Sequence, residues 1–112
     1  MSDIKRTTKP ELLFEENAEK FNALVAQGKT PDLSNQNLSD LDLHAFNLKH
    51  ANLSGSYLRG ANLKGVDLSE ANLDGASIKN ALISGCLFPK TLSACEIQLS
   101  QSLGTRMRDR GN

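Results

Sequence analysis

The sequence predicts an all-β solenoid, a narrow four-walled coil of about three circuits with a short helical cap at each end. Three observations lead there. Apolar residues recur at every fifth position from Leu33 to Phe88. Small residues recur two places before them. Aromatic residues are only 4% of the 112-residue chain, with no Trp; an ordinary core of this size uses more, so the interior is too narrow for rings.

The register runs Leu33, Leu38, Leu43, Leu48, Leu53, Leu58, Leu63, Leu68, Leu73, Ile78, Ile83, Phe88. Five steps along a straight strand flip a side chain to the opposite face. Five steps along a helix rotate it by about 140°. Neither buries such a period. A coil does, if each five-residue piece is one wall and the chain turns at its end. The register residue and the small residue two before it (Ala51, Ser56, Ala61, Val66, Ala71, Ala76, Ala81, Cys86) then point inward. Four large side chains per layer fill the lumen, so the second inward position must be tiny to keep packing dense. Four walls close a circuit, and circuits stack at strand spacing, about 4.8 Å.

The remaining positions fit the same shape. Asn or Asp precedes most register residues, as at Asp32, Asn52, Asp67 and Asn72, where a short polar side chain bonds local backbone at a turn. Asn52 and Asn72 fall in one column, which predicts a short amide ladder. Glycine recurs two places after the register, at Gly55, Gly60, Gly65, Gly75 and Gly85, a corner where φ can be positive. Leu41 and Phe46 are the large members of the small position, and they fall in the first circuit, against a cap.

The run ANLSGSYLRGANLKGVDLSEANLDGA, residues 51–76, resembles the pentapeptide repeat proteins, whose pattern is A-(N/D)-L-x-x. The resemblance covers roughly residues 31 to 90 and implies a right-handed, four-sided parallel β-helix. Gln36 and Leu41 depart from it in the small position, and Leu82 and Leu87 where Asn or Asp is expected.

Solenoid ends expose apolar interior and unpaired edges, so caps are expected. At the start, Thr8 and Glu11 have capping-box spacing with Pro10 in the first turn. The helix that follows, broken near Glu15, puts Phe21, Leu24 and Val25 on one face and stops at Gly28. At the other end Pro89 interrupts the period. Ser93 and Glu96 again have capping-box spacing, before a helix over about 94–103 and Gly104. Its apolar residues form two stripes, Ala94 with Ile97 and Cys95 with Leu99 and Leu103. One stripe seals the last circuit, and the other is free for a loop or a second subunit. The organisation is thus an N-terminal helical cap over 1–30, a coil over 31–90, and a C-terminal helical cap with a flexible basic tail over 91–112. The tail TRMRDRGN, with Arg106, Arg108 and Arg110, reads as a solvated terminus.

Composition narrows the function. The 13 basic and 13 acidic residues balance, which argues against nonspecific attraction to nucleic acid or anionic membranes. No apolar run is long enough to span a bilayer. The first twenty residues are charged and lack the apolar core of a signal peptide. The expectation is an unprocessed cytoplasmic chain, with Cys86 and Cys95 reduced.

No catalytic constellation is visible, so the reading is not an enzyme, and neither cofactor nor metal is expected. His44 and His50 fall on different walls. His50, Glu70 and Lys90 share an outward column, a surface charge ladder. There is no phosphate-binding G-x-x-x-x-G-K-[ST] loop.

The expected function is a structural or interaction module presenting flat walls to an unidentified protein partner. The residues singled out for contact are Cys95, Leu99 and Leu103 on the C-terminal helix and the basic column Arg59 and Lys79. The resemblance adds two further expectations: a homodimer through the C-terminal helix, and, as the alternative function, a DNA mimic that modulates DNA gyrase. Mimicry needs a long acidic rod. Three circuits span only about 14 Å, and the acids do not share a wall.

Overall fold

The computed structural model describes residues 17–110. From Pro31 onward the chain returns on itself every twenty residues. Parallel bridges join Asp32 to Asn52 to Asn72, Asn37 to Tyr57 to Ser77, Asp42 to Asn62 to Leu82, and Asp67 to Leu87. These are four columns, each offset by five residues from the next. Each is held by a pair of bonds between circuits, such as Leu33 N–H to Asn52 O at 2.8 Å and Asn52 N–H to Pro31 O at 2.9 Å.

Pairing among the described residues is confined to isolated bridges. This corrects the all-β expectation in its detail: among the described residues no extended strand is present, while an α-helix stands at each end of the coil. The reason is the corner. With a turn every five residues, each wall is too short to carry more than one fully paired residue.

Two local devices make the turns. The Asn or Asp before each register residue accepts a bond from the backbone two residues on, as Asn52 Oδ1 does from Ser54 N–H at 3.1 Å and Asp67 Oδ1 from Ser69 N–H at 2.9 Å. The next residue adopts left-handed backbone at many corners, with φ of +70° at Gly60 and +71° at Gly65. Where glycine is absent from such a corner, Asn35, Asp40 and Asn80 hold it at φ of 59°, 63° and 59°. These are the residue types that tolerate this region best. The column His50, Glu70 and Lys90 makes its corner without positive φ, which explains its lack of glycine. The amide ladder expected between Asn52 and Asn72 does not form, because each amide oxygen turns to the backbone two residues on, Ser54 N–H and Asp74 N–H; a side-chain bond between circuits runs instead from Asn62 to Asp42 at 3.0 Å.

The lumen is leucine. Leu33, Leu38, Leu43, Leu48, Leu53, Leu58, Leu63, Leu68, Leu73 and Ile78 are essentially without exposure, with Ala51, Ala61, Ala76 and Ala81 between them. Ser56 is the polar exception; its hydroxyl donates to Leu53 O at 2.7 Å, so its burial leaves nothing unsatisfied. Ile83 and Phe88 differ from expectation and are only partly buried against this core. They belong to the last layer, which has no complete circuit above it.

Helix α1, Ala18–Ala26, closes the first circuit. Asn17 caps it by accepting from Lys20 N–H at 3.2 Å. Phe21 is fully buried edge-on against Phe46, ring centroids 5.3 Å apart. Asn22 accepts from Asn47 N–H at 2.7 Å and donates to Ala45 O at 2.9 Å, so an amide side chain does the work of a preceding wall. The Thr8 and Glu11 box, Pro10 and the break near Glu15 lie outside the described residues.

Helix α2, Ala94–Leu103, closes the other end, capped by Ser93, with left-handed Gly104 at its C-terminus. Ser93 Oγ accepts from Glu96 N–H at 3.1 Å, but Glu96 turns away from the reciprocal bond to hold Arg108. The tail expectation is corrected. Met107 is fully buried, donates to Ala76 O at 2.8 Å and accepts from Gly75 N–H at 2.6 Å. Residues 105–110 therefore complete the cap: one apolar side chain and two backbone bonds outweigh the entropy of a free end.

Candidate interaction surface

The outward residues singled out from the sequence fall into two shallow grooves beside α2. Cys95, Leu99 and Leu103 line the first, together with Ile83 and Ile97. Leu99 is 40% and Leu103 64% exposed, both large apolar side chains in water. Ile97 packs on the core and lines this groove as well. The two stripes of α2 are thus less separate than its periodicity suggests. Ile97 shares the sealing with Ser100, Leu92 and Met107, the last three buried, while Ala94 is exposed.

Arg59 and Lys79 line the second groove with Tyr57, Ser77 and Gly104. Leu103 borders both grooves. Arg106 reaches over Tyr57, its guanidinium carbon 4.8 Å from the ring centroid. It donates to Gly75 O at 2.9 Å and to the Tyr57 hydroxyl. Such a cation over an aromatic face is attracted by the ring's quadrupole. Gly104 lets the Lys79 stem lie close, since a Cβ there would stand 3.2 Å from Lys79 Cδ.

Sequence reasoning missed Tyr57 and Arg106 as partners. One signal was available: Tyr57 occupies a wall position where the repeat favours Asn or Asp, so its ring must stand outside the coil. Arg106 carried no comparable signal, because its position depends on the return of the tail.

Other walls of the coil carry charged pairs. Lys49 lies 4.0 Å from Asp67, His50 3.8 Å from Glu70, and His44 2.6 Å from Asp42. The His44 side chain is the main cause that holds the Asp42 carboxyl below its ordinary range. Bonds from the Arg108 backbone and guanidinium likewise hold Glu96 low. Neither Arg59 nor Lys79 has an ion pair among the described residues. Burial, with the Asp67 carboxylate adding to it, pushes the Cys86 thiol up to about 12.

Among the described residues no group of three or more His, Cys, Asp and Glu is placed to hold a metal ion. No described helix is long and apolar enough to cross a membrane. The surface offers apolar contact and fixed positive charge.

No curated protein shows significant similarity to the chain. The family model for pentapeptide repeats matches residues 32–65 and 51–88, in 8 copies, the same stretch whose backbone stacks on itself at twenty-residue intervals. The coil is that of a repeat protein, and the chain belongs to the pentapeptide repeat family.

Proposed function

We propose that the chain is a non-catalytic interaction module of the cytoplasm, a right-handed four-sided β-helix whose C-terminal end docks a protein partner. The right hand follows from family membership, and the four bridge columns support four sides. The observation that carries the reading is the exposure of Leu99 and Leu103 on one groove with Ile83. Apolar side chains gathered in a groove beside polar walls suit contact with another protein. Among the described residues the charged side chains sit singly or in pairs along outer faces, an arrangement suited to contact with another surface.

Mimicry of DNA at gyrase gains no support from this surface. Asp67 lies beside Lys49 and Glu70 beside His50, and the coil is about 14 Å tall at strand spacing.

Affinity capture from the native cell with the wild-type chain and with Leu99→Asp tests the reading. One protein should be retained by the wild type and lost by the variant. Equal recovery, or none with either, would end it. Sedimentation velocity of both chains at low micromolar concentration identifies a second copy as the partner if a wild-type dimer splits on Leu99→Asp.

A further inference from the structure

We propose that the wall carrying Tyr57, Arg59 and Lys79 is a docking groove for an acidic peptide segment of a protein partner, with Arg106 completing its charge. This rests on the reading of the chain as an interaction module and names the chemistry of what it binds.

Arg59 and Lys79 occupy equivalent places in successive circuits, whose backbones are joined there by Gly60 N–H to Lys79 O at 2.9 Å. Equivalent side chains on stacked strands stand about 4.8 Å apart at their base. Two like charges in that relation repel, and a fold usually relieves this with a carboxylate. The coil does so for Lys49 with Asp67, and the cap does so for Arg108 with Glu96. It does not do so here, among the described residues. Asp40 stacks one circuit before Gly60, the neighbour of Arg59; its carboxylate lies over Gly60 and pairs with neither cation. Arg106 brings a third positive group to the same wall, held by Gly75 O and the Tyr57 ring. The chain has 13 basic and 13 acidic residues overall, so this is a local concentration and not a general excess.

The rim decides what kind of anion fits. Leu103 and Tyr57, 64% and 43% exposed, stand beside the cations. A small inorganic anion has no use for them. A peptide that alternates acidic and apolar side chains meets both, carboxylates on Arg59 and Lys79 and an apolar side chain on Leu103. Two of the three cations are positioned beforehand: the Lys79 stem lies against Gly104, itself tied to the wall by the Ser77 hydroxyl donating to Gly104 O at 3.0 Å, and Arg106 is held by Gly75 O and the Tyr57 ring. Fixed charge loses less entropy on binding than a mobile side chain does.

The test is an amide NMR titration of the full chain with the peptide Gly-Glu-Leu-Glu-Leu-Glu-Gly at low ionic strength. Saturable shifts are expected at Tyr57, Arg59, Ser77, Lys79 and Gly104. Affinity should fall at least tenfold for the double variant Arg59→Ala and Lys79→Ala. It should hold for Lys64→Ala, an exposed cation on another wall. Equal binding of the Gln-for-Glu peptide, equal loss with Lys64→Ala, or no saturable binding would overturn the proposal. So would tighter binding, with the same shifts, of a single-stranded oligonucleotide of equal charge. Partner capture that is lost on Leu99→Asp but unchanged in the double variant sinks this groove and leaves the interaction reading standing. Capture unchanged by either removes both.

Discussion

The Ser100 side chain stands where a backbone carbonyl of a further circuit would stand, accepting the Ile78 N–H at 2.9 Å. In the interior the equivalent bond goes to the next circuit, as from Leu58 N–H to Ser77 O at 2.8 Å. Ser100 has no exposed surface, so water has no access to replace it. Ser100→Ala should therefore cost about 1–3 kcal/mol, the penalty of a buried donor left bare. Urea denaturation measures it; an unchanged midpoint would mean that another acceptor takes over.

Nothing in the sequence marks Ser100, because its role depends on where the chain returns after Pro89. The interior was legible for the opposite reason. A leucine at each fifth residue can be buried only by a turn at each fifth residue, and Leu33 to Ile78 lie inside accordingly. The helix boundaries at Ser93 and Gly104 were legible too, since a cap and a stop are local chemistry. What escaped were contacts between distant segments. Tyr57 and Arg106 lie 49 residues apart, and Met107 is buried inside a tail whose composition is that of a solvated end. The site is legible to the same degree: the exposed face of α2 follows from its periodicity, and the joining of its Leu103 to the Arg59 wall does not.

Leu63→Ala should destabilise the chain by about 2–5 kcal/mol, the range for emptying a fully buried site. Ile83→Ala should cost clearly less, because Ile83 is already partly wet at the open end. Leu63→Asp should abolish folding by burying an unpaired carboxylate. Thermal melts of the three variants give the order, and an equal loss at Leu63 and Ile83 would contradict the gradient from middle to end.

At the Gly65 corner a Cβ meets nothing within 4 Å, but φ is +71°. Any loss on substitution is then conformational and not steric. Gly65→Ala should cost about 1–2 kcal/mol for left-handed backbone. Gly65→Asn should cost less, since Asn35 and Asn80 hold equivalent left-handed corners in other columns. Equal destabilisation by Ala and Asn in chemical denaturation would refute the conformational account.

Arg108 grips Glu96 through its backbone N–H at 3.0 Å and its guanidinium at 3.1 Å. The backbone bond first, then the guanidinium, hold the Glu96 carboxyl below its ordinary 4.5. Unfolding restores the ordinary value, so the unfolded chain takes up the proton more readily. The resulting stability is present at neutral pH and withdrawn as pH falls below about 4.5 toward the folded value. Asp42 and Asp67 are held low as well, by the His44 side chain and the Ser69 hydroxyl, and share this acid limb. Glu96→Gln should therefore make the fall in Tm from about pH 5 to pH 3 shallower without abolishing it. An identical slope would mean that the Glu96 grip is not held in solution.

The two free cysteines should differ sharply in reactivity. Cys95 is exposed on α2, whereas Cys86 occupies the inward small position of the last circuit, its thiol pushed up to about 12 by burial and then by Asp67. Only the thiolate attacks a disulfide reagent. At pH 8, Ellman's reagent should release one equivalent promptly and the second only in denaturant, and Cys95→Ser should remove the prompt phase. Because Cys86 lies in the layer covered by α2, its rate also reports how often that cap lifts. Ser100→Ala, which weakens the cap's grip on Ile78, should quicken Cys86 and leave Cys95 unchanged. If Cys86 reacts promptly in the native wild-type chain, the last circuit is open in solution and α2 does not seal it.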